Sequence, residues 1–173
     1  AIETARGFFA FFAEKGSIPY GDHPPFWELH DNNGKNAQAA VAFDALGDVG
    51  PARFFARMTT ASYDERELGH TGNFFGYLWG PLGVAVAGRD ALAAHLEELR
   101  WSFDLARRWD GGFTYQGGAG EDDSYAGWDV TGAYALAYAL PLAKLRITGR
   151  GRSAAAALSP DEVRSTIADG RGF

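Results

Sequence analysis

Apolar side chains recur at three- and four-residue spacing along most of the chain, as in the stripe Ile2, Ala5, Phe8, Phe9 and Phe12. This spacing is that of an amphipathic helix, and no segment shows the alternation that is typical of a half-buried strand. The pattern therefore predicts an all-α fold of about seven helices. The predicted helices cover residues 2–15, 34–47, 51–62, 73–87, 89–108, 131–145 and 159–168.

Residues with known preferences for helix ends support these boundaries. Gly47 follows the second predicted helix, at a position where a left-handed residue commonly ends a helix. Ser159 precedes the sequence Pro-Asp-Glu, which is typical of a helix start. Thr131 is expected to cap the sixth helix, and Asn32 or Asn33 is expected to cap the second.

The predicted helices differ in how their charges are distributed. Helices 34–47, 73–87 and 131–145 are nearly apolar on every side, which favours burial. Helices 51–62 and 89–108 carry charge on one face, which favours a peripheral position. Inner and outer helices are therefore expected to alternate, as in a repeat of antiparallel helical hairpins.

The connections between the helices also alternate in length. Links from inner to outer helices are short, whereas three links from outer to inner helices are long. The long links cover residues 16–33, 63–72 and 109–130. All three are expected at one end of the array, beside the N-termini of the inner helices. Those N-termini suit an anionic ligand because of their free N–H groups, although the loops themselves are acidic.

The composition narrows the class of protein. The chain has 173 residues, of which 46% are hydrophobic, and is predicted to form a single domain over residues 1–173. Its net charge of −6 argues against nucleic acid as the main partner. No apolar run reaches the ~20 residues of a membrane span. The chain has no cysteine, which excludes disulfides, thiolate metal sites and cysteine nucleophiles.

Two neighbouring segments resemble a known superfamily. The first reads Asp-Gly-Gly-Phe-Thr-Tyr-Gln-Gly-Gly over residues 110–118, and the second reads Trp-Asp-Val-Thr-Gly-Ala-Tyr-Ala-Leu over residues 128–136. A Gly-Gly-Phe turn before an Ala- and Leu-rich helix resembles the repeat of the terpenoid cyclase/protein prenyltransferase toroids. The whole chain resembles an uncharacterised bacterial branch of that superfamily. The resemblance implies a partial (α/α) toroid of helical hairpins.

The sequence departs from the characterised toroid enzymes in its chemistry. Protein prenyltransferases hold zinc with Asp, Cys and His, and this chain has no Cys. Squalene-type cyclases use an Asp-Xaa-Asp-Asp acid, whose spacing Glu121, Asp122 and Asp123 do not reproduce. Neither activity is therefore expected. Because a complete toroid has more than seven helices, the chain is expected to be part of a longer protein, an open ring or one half of a homodimer.

The long loop 109–130 is the strongest candidate site in the sequence. It combines carboxylates with aromatic rings, which suits a sugar because rings stack on its face while paired carboxyl groups act as acid and base. The candidate catalytic carboxylates are Asp110, Asp122, Asp123 and Asp129. The candidate ligand-binding aromatic residues are Trp27, Trp109, Tyr115 and Trp128. The alternative is a solvated turn with anchoring aromatic residues, in which Asp129 caps the next helix.

Histidines in the loops supply further candidates. His30 and His70 are candidate catalytic acids or bases. His30 and Asp31 are not expected to pair, because adjacent residues on an extended chain point in opposite directions. With His23, these histidines could ligate a metal, but their spacing matches no short metal motif. The sequence therefore predicts no metal and no cofactor.

Three hypotheses for function follow from these features. The first is a ligand-binding or catalytic groove at the N-terminal ends of the inner helices, acting on carbohydrate through carboxylate acid/base chemistry. The second is an isoprenoid- or lipid-handling toroid, which the superfamily resemblance implies. The third is a non-catalytic scaffold or interaction module, because fold alone does not determine function. The expected partner is a small molecule or an oligosaccharide, and the compartment and the question of catalysis stay open.

Overall fold

The computed structural model describes residues 1–21, 23–67, 74–117, 125–142 and 154–171. Within these ranges it contains seven α-helices and no strand, so the prediction of an all-α fold of about seven helices is confirmed. The helices are α1 (Ile2–Ala10), α2 (Lys35–Leu46), α3 (Val49–Ala61), α4 (Phe74–Val86), α5 (Arg89–Ala106), α6 (Thr131–Ala139) and α7 (Pro160–Gly170). Short 3₁₀ turns occupy Asp64–Glu67, Leu140–Leu142 and Ala154–Ala156.

Two predicted helices end earlier than expected. The first was predicted to reach residue 15, but α1 ends at Ala10 and turns follow, with Glu14 in the left-handed region. The sixth was predicted to reach residue 145. Instead α6 ends at Ala139, and Pro141, which has no N–H for the next helical hydrogen bond, lies in a 3₁₀ turn. Residues 143–145 lie outside the described ranges.

The predicted helix ends are confirmed at Ser159 and at Gly47, whose left-handed φ of 84° ends α2, and are wrong at the starts of α2 and α6. Ser159 forms a capping box with Glu162 at the start of α7, as the sequence predicts. The residue before α2 is Gly34, whose left-handed φ of 72° replaces the expected Asn32 or Asn33. Val130 precedes α6 in place of Thr131, whose hydroxyl accepts from the N–H of Phe113 instead.

The helices form one packed array in which α4 is central. Helix α2 packs on α3 and α4, α3 packs on α7, and α4 packs on both α5 and α6. Small residues bring α2 and α4 together. A Cβ at Gly83 would lie 2.5 Å from the Cα of Ala37, closer than packed atoms approach. The abundance of glycine and alanine thus lets these two helices touch through their backbones.

Among the described residues, three groups of apolar side chains fill the interior, the smallest of which consists of Ala85, Leu92 and Leu140. The two larger groups differ in position. The larger lies among α2, α3, α4 and α7, and is centred on the stacked rings of Phe43 and Phe55. The other lies beside α5 and α6, where the Phe103 ring meets Tyr134 edge to face. Both groups contact α4, through Val84 and Tyr77 respectively. Helix α4 therefore joins the two halves of the core.

The expectation that all three inner helices are buried is confirmed for α4 and wrong for the outer faces of α2 and α6. On α2, Gln38, Ala42 and Leu46 are exposed. On α6, Leu136 is 47% exposed and Tyr138 is 41% exposed. Apolar side chains on these faces therefore remain in contact with solvent. Separately, none of the helices described has both the length and the apolar composition needed to cross a bilayer.

Candidate functional site

The N-terminal end of α2 is held by a buried amide network. Asn36 is fully buried, and its side-chain N–H groups donate to the carbonyl of His30 at 2.7 Å and to the hydroxyl of Ser17 at 3.2 Å. Its side-chain oxygen accepts from the N–H of Ile18 at 3.0 Å. One side chain therefore ties both ends of the loop 16–33 to the start of α2, which fixes the position of His30.

His30 is paired with Glu65, which lies in the 3₁₀ turn that follows α3. The carboxylate oxygen Oε1 of Glu65 accepts from the backbone N–H of His30 at 2.9 Å and lies 3.2 Å from Nδ1 of its ring. This contact places the proton of a neutral ring on Nδ1 and leaves Nε2 as the basic nitrogen. The His30 side chain is 30% exposed, whereas that of Glu65 is 11% exposed. The arrangement is that of a base with an orienting carboxylate.

The pairing shifts the pKa of both groups in the expected directions. The hydrogen bond that the His30 ring donates to the Glu65 carboxylate raises the pKa of His30 above its ordinary value, although partial burial opposes the change. Burial would raise the pKa of Glu65, but the hydrogen bonds from the ring and backbone of His30 outweigh it and lower that pKa to about 2. Glu65 is therefore ionised at neutral pH, and its charge favours the protonated form of the His30 ring.

Asp31 lies beside this pair but faces the protein interior. Its carboxylate accepts from the backbone N–H groups of Asn32 at 2.7 Å and Asn36 at 3.1 Å, and the residue is 4% exposed. Burial raises the pKa of Asp31 to about 6, against the lowering effect of the two hydrogen bonds. Asp31 and His30 make no mutual contact, in agreement with the opposite directions expected of adjacent residues.

The carboxylates of Asp110 and Asp129 both bind the guanidinium group of Arg108. Arg108 bonds to Asp110 through Nε at 3.1 Å and through a terminal nitrogen at 3.0 Å, and its other terminal nitrogen lies 2.8 Å from Asp129. Asp110 also accepts from the N–H of Gly112, and Asp129 accepts from the N–H of Thr131 at the start of α6. Both aspartates therefore hold the Gly-Gly-Phe turn against α6.

These contacts keep Asp110 and Asp129 ionised. The Arg108 side chain lowers the pKa of Asp110. The backbone and side chain of Thr131, together with Arg108, lower the pKa of Asp129 to about 2. A general acid needs a raised pKa, so neither carboxylate has the environment of a proton donor near neutral pH. Asp122, Asp123 and His70 lie outside the described ranges.

The candidate aromatic residues fall into two groups. Trp27, Trp109 and Trp128 are exposed, with Trp109 almost fully in solvent at 99%. Tyr115 is buried in the core beside α5 and α6, and borders a cavity of about 50 Å³ that holds only a few water molecules. Tyr115 thus lies where a sugar ring has no room. Trp27 belongs to the same loop as His30, three residues earlier in the chain.

The sequence pattern identified His30 and missed its partner Glu65. The two residues are 35 positions apart, and nothing in the local spacing links them. The only signal was topological: loops 16–33 and 63–72 were expected at the same end of the array, and the His30–Glu65 contact joins residues of these two loops. Among the described residues, no group of three His, Asp or Glu side chains is placed to hold a metal ion.

The described elements define an all-α protein with a histidine–carboxylate pair at one end of its helical array. A family model matches residues 1–149, and the chain belongs to that family, the domain of unknown function DUF6288. No curated protein and no solved structure matches the chain.

Proposed function

We propose that the chain is a segment of an α/α-toroid-like array with an acid/base site for a carbohydrate ligand at the loop end. The observation that carries the proposal is the contact of His30 with Glu65 at 3.2 Å. In this role His30 exchanges a proton with the ligand through Nε2, and Glu65 holds the ring and stabilises its protonated form. The exposed ring of Trp27, in the same loop, supplies an apolar face for a sugar.

The proposed proton-transfer group is the histidine and not the paired carboxylates of the loop 109–130. Asp110 and Asp129 are both bound by the guanidinium of Arg108 and hold a turn, so their geometry favours a structural role. His30, in contrast, is partly exposed and has an orienting partner. An imidazole whose pKa lies near the working pH is an efficient proton-transfer group.

The toroid part of the proposal rests on the order and contacts of the helices. Short links join α2 to α3 and α4 to α5, and these pairs pack against each other as hairpins. Inner helices α2 and α4 also pack side by side, as successive inner helices do in a toroid. This agrees with the terpenoid cyclase-like resemblance of the sequence, without its zinc ligands or acid motif.

The test compares His30→Gln with His23→Gln, because His23 is an exposed histidine of the same loop. Purified protein is screened by thermal shift against neutral oligosaccharides and oligouronates, and turnover is followed by release of reducing ends. We expect His30→Gln to bind the stabilising sugar but to lose about a hundredfold or more of turnover. His23→Gln should behave as the unmodified chain. Absence of stabilisation by any sugar, or full activity in His30→Gln, would refute the proposal.

A scaffold function is the second candidate, and the outer face of α6 favours it. Leu136 and Tyr138 are about half exposed, and Leu142 in the following turn is 78% exposed. Tyr138 also packs on Phe103 and Phe113, so Leu136 and Leu142 are the exposed apolar side chains that favour a protein interaction site. A scaffold predicts that Leu136→Glu abolishes binding to a partner protein and leaves sugar-dependent stabilisation unchanged.

A further inference from the structure

An apolar groove separates α1 from α2. Its volume is about 670 Å³, within the range of small-molecule sites. One wall is the apolar stripe of α1, including Ile2, Phe8 and Phe9. The other wall is the open face of α2, where Ala42 and Leu46 are exposed one helical turn apart. Both walls are apolar, and side chains on both are exposed.

The charged side chains that line the groove are all positive. Its lining contains two cations, Arg6 and Lys35, and no acidic residue, although the chain carries a net charge of −6. The guanidinium of Arg6 is bound by Asp48 and Glu3. Lys35, at the first position of α2, has no carboxylate partner among the described residues. Its ammonium group donates to the carbonyl of Pro19 at 3.2 Å and lies 4.0 Å from the centre of the Tyr20 ring.

The length of the groove sets the size of a chain that fits it. The lining of α2 begins at Lys35 and ends at Leu46, which is about 16 Å at the ~1.5 Å rise per residue of a helix. A staggered alkyl chain advances about 1.25 Å per methylene, given a carbon–carbon bond of about 1.52 Å. A chain of roughly 13 carbons therefore spans the wall from Lys35 to Leu46, which lies two residues before the Asp48 that binds Arg6.

We propose that this groove binds a single-chain amphiphile with an anionic head group, of the fatty-acid class, whose carboxylate pairs with Lys35 and whose alkyl chain lies between α1 and α2. The match is one of charge and shape: the ammonium group of Lys35, which has no carboxylate partner in the described part of the chain, lies at one end, and apolar side chains continue for the length of a medium alkyl chain. The apolar side of α1 then contacts the alkyl chain opposite α2, through Ile2, Phe8 and Phe9. This site does not include His30, so its test is independent of the test of the proposed acid/base function.

The first test measures binding of tetradecanoate by isothermal titration calorimetry, below the concentration at which it forms micelles. We expect micromolar binding by the unmodified chain. Lys35→Met should weaken it about tenfold to a hundredfold, the range for a charge-assisted hydrogen bond. Lys15→Met is the matched control, because Lys15 also lies over an aromatic ring but outside the groove, and it should bind normally. Tetradecyltrimethylammonium, with the same chain and the opposite charge, should not bind.

A second variant tests the groove itself without changing its charge. Ala42→Trp places a large ring on the exposed wall of α2 and should abolish tetradecanoate binding, whereas Ala93→Trp, on an exposed position of α5, should not. Circular dichroism verifies that each variant is folded. Failure of the unmodified chain to bind, equal binding by Lys35→Met, or equal binding of the cationic amphiphile would overturn the proposal. So would a dimer that Ala42→Trp dissociates, because the groove would then be covered by a second copy.

Discussion

Gly83 of α4 faces Ala37 of α2 at a distance that leaves no room for a side chain. A Cβ at position 83 would lie 2.5 Å from the Cα of Ala37 and 2.6 Å from its Cβ. Contacts this short require the helices to move apart. Because α2 and α4 are the inner helices that share the larger core, a change here propagates to both of them.

We therefore expect Gly83→Ala to lower the free energy of unfolding by about 1–3 kcal/mol, the usual cost of inserting a methyl group into a packed interior. The matched control is Gly7→Ala in the interior of α1, where a Cβ would meet no atom within 4 Å. The control should raise stability by about 0.5–1 kcal/mol because alanine is the better helix former. Urea denaturation measures both. Equal effects of the two changes would show that α2 and α4 are not in close contact.

The His30–Glu65 contact predicts the titration of the histidine ring. Glu65→Gln keeps an acceptor for the backbone N–H of His30 but removes the charge, so the pKa of His30 should fall. NMR titration of the ring signals measures this pKa directly. Glu28→Gln, in the same loop and exposed, is the control and should leave the pKa of His30 unchanged. An unaltered pKa of His30 in Glu65→Gln would mean that the two side chains do not interact in solution.

The same contact should make the free energy of unfolding depend on pH, because the pKa of His30 differs between the folded and unfolded states. A raised pKa of His30 in the folded state stabilises the protein below about pH 6.5, and this contribution is lost as the pH rises through the folded-state value. The stability of the unmodified chain should therefore decline more steeply above pH 6.5 than that of Glu65→Gln. Parallel stability curves for the two proteins between pH 6 and 8 would contradict this expectation.

The buried carboxyl group of Asp31 should also make the free energy of unfolding depend on pH. Its pKa is about 6 in the folded protein against an ordinary value of 3.8, so the folded state binds the proton more tightly. Stability should therefore fall by about 2 kcal/mol as the pH rises from 4 to 6, as part of a total of about 3 kcal/mol at 1.36 kcal/mol per unit of pKa difference. Asp31→Asn keeps the acceptor for the N–H of Asn36 and should not show this decline. Denaturation at pH 4 and pH 7 compares the two proteins, and an equal decline in both would exclude Asp31 as its source.

The amide network of Asn36 predicts a large loss of stability on truncation. Asn36→Ala removes three hydrogen bonds and leaves the N–H of Ile18 without its acceptor, which should cost about 3–5 kcal/mol. Gln38→Ala, two residues later and exposed, is the control and should cost less than about 0.5 kcal/mol. Thermal unfolding followed by circular dichroism measures the difference. A small effect of Asn36→Ala would mean that the loop 16–33 does not depend on this side chain.

The helices were predictable because local information determines them. The apolar spacing and the sequence Ser159–Glu162 located α7 within two residues of its observed ends, and the stripe of α1 was identified by its period alone. What the period could not show was which faces are covered. Leu46 and Leu136 look like core residues in the sequence, yet they are exposed because burial depends on neighbouring helices that are distant in the chain.

The candidate site was predictable in place but not in detail. His30 was identified by its residue type and its loop, whereas Glu65 required the fold to bring it within reach. Asp110 and Asp129 were identified as candidate catalytic residues, and the sequence did not show that Arg108 binds both of them. Tyr115 was expected to bind a ligand, but it alternates with exposed neighbours on an extended segment and its ring lies in the core. Long-range pairing and side-chain direction are therefore what the sequence left undetermined.

One atom, Oε1 of Glu65, both attaches the loop 16–33 and orients the ring of His30, the candidate base. The same oxygen receives the amide hydrogen of His30 and contacts its ring, so the loop is attached and the ring is oriented at a single point. That amide hydrogen can exchange with solvent only when Oε1 releases it. Its exchange rate therefore measures, in one backbone position, how often the acid/base pair comes apart.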